Sequence, residues 1–139
     1  AGRLSATTTT SSSINLDPTF TPPDIAGEGE IGEVAAAEAA SLMKRAIVPV
    51  PTYVSPKGTV GISYIHWEAA AAATTTTTND AKQTDTLPLI LLHGFDSSCL
   101  EYRRLGPKLA ALGIDVYAID LLGWGYTQLK PDITSFSAR

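Results

Sequence analysis

One short stretch carries residue types that could do chemistry. It is His93-Gly94-Phe95-Asp96, followed at once by Ser97, Ser98 and Cys99. The run before it, residues 87–92, is almost wholly apolar. A strand that stops at a His-Gly pair can turn sharply, because glycine has no Cβ to clash. The turn then presents a backbone N–H at the strand's end. The N–H of Phe95, or that of Gly94, is a candidate donor to an oxyanion developing in acyl transfer. Asp96 or Ser97 could cap the helix that follows.

Other reactive side chains offer less. Cys99 is the single cysteine, which excludes an internal disulfide, and no general base stands near it in the sequence. It reads as a small half-buried helix residue. His66 lies inside a strand pattern and reads as a histidine with a satisfied hydrogen bond. His66 and His93 are the only histidines, and no carboxylate cluster has ligand spacing, so no metal and no other cofactor is expected. The net charge of −4 and pI near 5.0 supply no basic patch to displace counterions, so no nucleic acid partner is expected. No run of apolar residues reaches transmembrane length.

The elements that must hold this turn follow from patterning. The run 87–92 does not alternate, which predicts a strand buried on both faces, as at the centre of a parallel sheet. Residues 98–113 predict a helix with Leu100, Leu105, Leu109 and Leu112 in an apolar stripe. Pro107 should kink or split it, and Gly113 should end it. Residues 114–121 predict the next strand, which completes a parallel strand–helix–strand unit. Upstream, residues 32–48 predict a helix, from alanine and glutamate content with Lys44 and Arg45 in the last turn. A short strand is expected at Tyr53 and Val54, a turn at Pro56-Lys57-Gly58, and a strand over 59–68.

The remainder has low complexity. Residues 1–30 form an extended Ser/Thr/Pro-rich arm with seven consecutive hydroxyl residues at 7–13 and no acid before Asp17. Such an Arg-containing, acid-poor start reads as a transit segment or its remnant over residues 1–16; an unaddressed tail is the alternative. Phe20 is a candidate anchor onto a neighbouring surface. Residues 69–86 contain five alanines followed by five threonines and are expected to be a surface loop. The expected organisation is an arm over 1–30, a helix and linker over 31–50, and a domain over 51–139. The core should come from 31–68 and 87–129.

"LPLILLHGFDSS" followed by "VYAIDLLGWGYT" resembles the third strand, oxyanion turn, first helix and fourth strand of the α/β-hydrolase fold. The family writes His-Gly-x-x-x-Ser and then Asp-x-x-Gly-x-Gly-x-Ser. The matching residues are His93, Gly94 and Ser98, then Asp120, Gly123 and Gly125, with Thr127 in place of the last serine. The resemblance covers residues 53–129 and is nearest in wording to plastid members from plants and algae. It implies an α/β fold: a partial hydrolase-like sheet made of the N-terminal strands and the first crossover helix. It also implies structural roles for His93, Ser98, Asp120, Gly123 and Gly125, an ester or acyl substrate, and a chloroplast location, cytoplasmic otherwise.

The family's nucleophile sits on a Gly-x-Ser-x-Gly elbow after the fifth strand. No such pentapeptide occurs in these 139 residues, so no catalytic residue is assigned and the residues are not expected to catalyse alone. A small-molecule substrate is expected only if the chain continues. Three readings stay open: the N-terminal portion of a hydrolase-like protein, a non-catalytic subunit of a larger, possibly chloroplast-membrane, assembly, and a small-ligand binding module.

Overall fold

A computed structural model describes residues 13–25, 33–70 and 87–127. The expectations for residues 1–12, for most of the 69–86 loop and for the segment after Thr127 lie outside the described residues. Helix α1 (Val34–Ser41) leads into strand β1 (Met43–Pro49), and β2 (Thr59–Trp67) follows. Strand β3 (Leu89–Leu92), a 3-10 helix (Cys99–Tyr102), α2 (Gly106–Ala111) and β4 (Val116–Ile119) complete the order. The four strands form one mixed sheet in the order β1-β2-β4-β3. β1 and β2 are antiparallel, as are β2 and β4, while β3 and β4 run parallel. This is an α/β architecture of the partial hydrolase-like kind.

The helix expected over 32–48 is only half formed. Its second half is β1, which matches β2 residue by residue from Met43↔Ile65 to Pro49↔Thr59. The ladder to β2 outweighs local helix propensity here, and Ile47 and Val48 are β-branched residues that suit a pleat. Tyr53 and Val54 form no strand. They lie in a turn, with the Val54 N–H on the Pro51 carbonyl at 2.9 Å, and Tyr53 is exposed. The turn at Gly58 forms as expected, with φ at 68°.

The arm covers the free edge of β1. Leu16 bridges Ala46, Asp17 N–H donates to the Arg45 carbonyl and Ile47 N–H donates to that of Asn15, the last two both at 2.8 Å. Phe20 packs against the core, with the Arg45 guanidinium 4.3 Å from its ring centre.

The core is one cluster: Ala39, Met43, Ile65, Trp67, Cys99, Ala110, Val116 and Ala118. Gly106 is the close approach within it. A Cβ there would lie 2.3 Å from the Trp67 ring, so only glycine lets α2 start against that indole. Pro107 sits in the first turn of α2, where its missing N–H is harmless, so the helix expected over 98–113 divides into a 3-10 turn and α2. Leu100 and Leu109 reach the core, but Leu105 and Leu112 face outward.

The apolar run at 87–92 is not central among the described strands. β3 pairs only with β4 and forms an edge, with Leu87 90%, Ile90 48% and Leu92 54% exposed. The opposite sheet face holds a second apolar surface, an open groove of about 270 Å³ lined by residues including Ile62, Tyr64, Tyr117 and Ile119.

Candidate functional site

β3 and β4 run parallel, so their C-terminal ends bring two turns together: 93–98 after β3 and 120–127 after β4. His93 is the pin between them. Its Nε2 accepts the Leu121 N–H at 3.0 Å, so that nitrogen carries no proton. Its Nδ1 must then be the protonated one, and it donates to the Gly94 carbonyl at 2.8 Å. Both ring nitrogens are engaged and the side chain is fully buried. The imidazole spans the two strand ends and has no lone pair to offer as a base.

Asp120 organises the second turn. It is 1% exposed, and its carboxylate accepts the Cys99 N–H at 2.6 Å and the Tyr126 N–H at 2.7 Å. Charge-assisted bonds to backbone donors are the compensation a buried carboxylate requires. Gly125 makes the geometry possible. A Cβ there would lie 2.4 Å from the Asp120 carboxyl carbon, and its φ of 58° is left-handed. Gly123, at φ 92°, gives the chain its other reversal. The Tyr126 carbonyl in turn accepts from Ser63 Oγ at 2.7 Å and Arg45 Nη2 at 2.6 Å, which ties the turn back to β2 and β1.

The first turn departs from expectation in two places. Gly94 does not have a left-handed φ, and a Cβ on it would meet nothing within 4 Å. The left-handed residue is Asp96, at φ 56°. The helix cap is neither Asp96 nor Ser97 but Ser98, whose hydroxyl accepts the Leu100 N–H at 3.3 Å.

Two residues that sequence reasoning passed over clamp this turn. Glu101 accepts the Gly94 N–H at 3.2 Å, and the Tyr102 hydroxyl donates to the Leu92 carbonyl. The peptide groups on both sides of His93 are therefore held from the 3-10 helix. The spacing Ser98-x-x-Glu101 is a capping-box pattern that could have flagged the glutamate. Here its side chain reaches past the cap residue to Gly94. The Phe95 N–H makes no hydrogen bond to the described residues. Its ring meets Trp124 at a centroid distance of 4.8 Å and a tilt of 59°.

Beside the turn lies an open cleft of about 530 Å³, lined by residues including Asp96, Ser97, Ser98, Glu101 and Arg103. Arg103 is already paired with Glu33, Nε to Oε2 at 2.6 Å. Cys99 is fully buried, and burial together with the adjacent Asp120 carboxylate pushes its thiol well above the ordinary range. It is no nucleophile in this state. His66 lies away from the turn, bonded to Asp115 at 2.7 Å and stacked on Tyr117. Among the described residues no three metal-ligating side chains cluster, and no helix is long and apolar enough to cross a membrane.

The chain is 52% identical over 46 residues to the Arabidopsis thaliana alpha/beta hydrolase domain-containing protein VTE7. The match spans 33% of this chain and 14% of that relative. No family model matches the chain, and no solved structure does. Through that match the chain has a partial relation to the α/β-hydrolase family.

Proposed function

We propose that this chain is the N-terminal portion of an α/β-hydrolase-like protein acting on esters or other acyl compounds. The observation that carries the reading is the locked pair of turns at the ends of β3 and β4, with a Phe95 N–H that has no hydrogen-bond partner among the described residues and an open cleft that starts at the next residue, Asp96. In this reading the Phe95 amide is the oxyanion donor. A preorganised N–H stabilises charge that develops on the reacting carbonyl oxygen and contributes most when nothing else competes for it. The Gly94 amide is the weaker candidate, because Glu101 occupies it. His93, Ser98, Asp120, Gly123 and Gly125 shape the turns rather than react, and Ser98 and Gly125 also line the cleft.

These residues supply no nucleophile elbow, so hydrolysis needs residues that they do not contain. The acid-poor, hydroxyl-rich arm supports a chloroplast location, and the plant relative is in keeping with it.

One observation favours a second reading, a non-catalytic subunit of a larger assembly. The β3 edge and the apolar groove on the open sheet face are surfaces that a partner chain would cover. Intact-mass measurement of the native polypeptide, together with the transcript that encodes it, separates the two. A mass well above 14.6 kDa with a downstream Gly-x-Ser-x-Gly elbow is expected. A native chain of 14.6 kDa that co-purifies at fixed stoichiometry would sink the hydrolase reading and leave the subunit.

A further inference from the structure

The N–H without a partner among the described residues and the most exposed aromatic ring at the turn belong to one residue. Phe95 is 89% exposed, yet its ring is not loose: it leans on Trp124 and joins the loop after β3 to the loop after β4. Leu92 and Leu121, at the ends of the two strands that His93 joins, are also 54% and 39% exposed. A ligand whose carbonyl oxygen takes the Phe95 N–H is held within reach of that ring by the shortness of one residue. Charge narrows the ligand further. Asp96 and Glu101 line the neighbouring cleft, and the Arg103 guanidinium there is already held by Glu33. A free carboxylate would be repelled by those acids with no unpaired cation lining the cleft among the described residues, whereas a neutral ester would not be repelled.

We propose that Phe95 and Trp124 form a binding subsite for the hydrocarbon chain of a neutral acyl ester. This rests on the acyl-substrate reading above and specifies its ligand. Offset aromatic pairs present a large, rigid apolar surface at small conformational cost, which suits a flexible alkyl chain. The chain would cover the Phe95 ring and exclude water from the same residue's N–H.

The test uses quenching of tryptophan emission by a brominated acyl ester, on the full polypeptide that carries this chain. Trp67 is buried against Gly106, so of the two tryptophans in these residues Trp124 is the one open to contact, and its share is read as the quenching that Trp124→Phe abolishes. Methyl dibromostearate below its aggregation limit should quench saturably, and the free dibromo acid should need roughly fivefold more. Phe95→Ala should raise the half-quenching concentration about tenfold. Trp124→Phe, which keeps an aromatic partner for Phe95, should remove the saturable component of quenching that Phe95→Ala shifts.

No saturable quenching by the ester, or identical titrations for wild type and Phe95→Ala, overturns the subsite. Quenching seen only with vesicles of brominated phosphatidylcholine also overturns it, and indicates adsorption to a lipid surface instead. The two proposals fail separately. An ester-binding polypeptide of 14.6 kDa keeps the subsite and loses the hydrolase. An esterase whose kcat/KM ignores chain length and Phe95→Ala does the reverse.

Discussion

The carboxylate of Asp120 and the backbone N–H of Cys99 lie 2.6 Å apart, joining the end of β4 to the start of the 3-10 helix. The other oxygen of that carboxylate takes the Tyr126 N–H. One buried side chain therefore sets both turns at the candidate site. Asp120→Asn keeps the shape but replaces one acceptor oxygen with an NH2 that faces another N–H. The expected loss is about 2–4 kcal/mol, from a forfeited charge-assisted bond and an orphaned buried donor. Urea unfolding of wild type and variant checks it. A midpoint unchanged by the substitution would show that the carboxylate does not hold the turns.

Glycine substitutions should separate two positions that look alike in the motif. Gly125→Ala places a methyl 2.4 Å from the Asp120 carboxyl group and forces a left-handed backbone on a residue with a side chain. It is expected to destabilise by about 2–4 kcal/mol. Gly94→Ala meets open space at an ordinary φ and should change stability by no more than ~0.5 kcal/mol. Thermal melts of the two variants side by side decide the matter; equal losses would contradict the geometry.

What the sequence discloses about this site is its covalent order and its turn chemistry. The His-Gly pair, Asp120 and the glycines after it can be read because local backbone demands select those residue types. β1 cannot be read in the same way. Its stability comes from pairing with β2, a partner remote in sequence, and the alanine-rich segment before it carries a misleading helix signal. The edge position of β3 is hidden for another reason. An unbroken apolar run looks the same whether or not a strand lies on its outer side. Glu101 and Tyr102 are missed because their roles depend on a 3-10 turn folding back over β3, which neither residue's type announces.

Cys99 should be chemically silent in the folded chain. It is 0% exposed, and burial and the Asp120 carboxylate both disfavour its thiolate. Thiolate is the reacting form, so labelling by a disulfide reagent at mildly alkaline pH must await local opening. The native rate should be about a thousandfold below that in denaturant. Prompt labelling of native protein would mean that the 3-10 helix opens far more readily than its packing implies.

Acid should loosen the contact between the start of α1 and the 3-10 helix. Glu33 accepts from Arg103 Nε and, on its other oxygen, from Arg104 Nε. Those hydrogen bonds, Arg103 first, hold its carboxyl below the ordinary glutamate value of 4.5. A carboxyl whose folded pKa lies below its unfolded one binds fewer protons folded than unfolded. Its stabilising contribution is therefore present above pH 4.5 and fades as pH falls through the folded value. Arg104 is 73% exposed, so salt should weaken its share of the effect. Glu33→Gln should lower stability at neutral pH and flatten the acid limb of the stability curve between pH 5 and 3, as followed by urea midpoints across that window. Parallel curves for wild type and Glu33→Gln would show that the fork seen around Glu33 contributes nothing in solution.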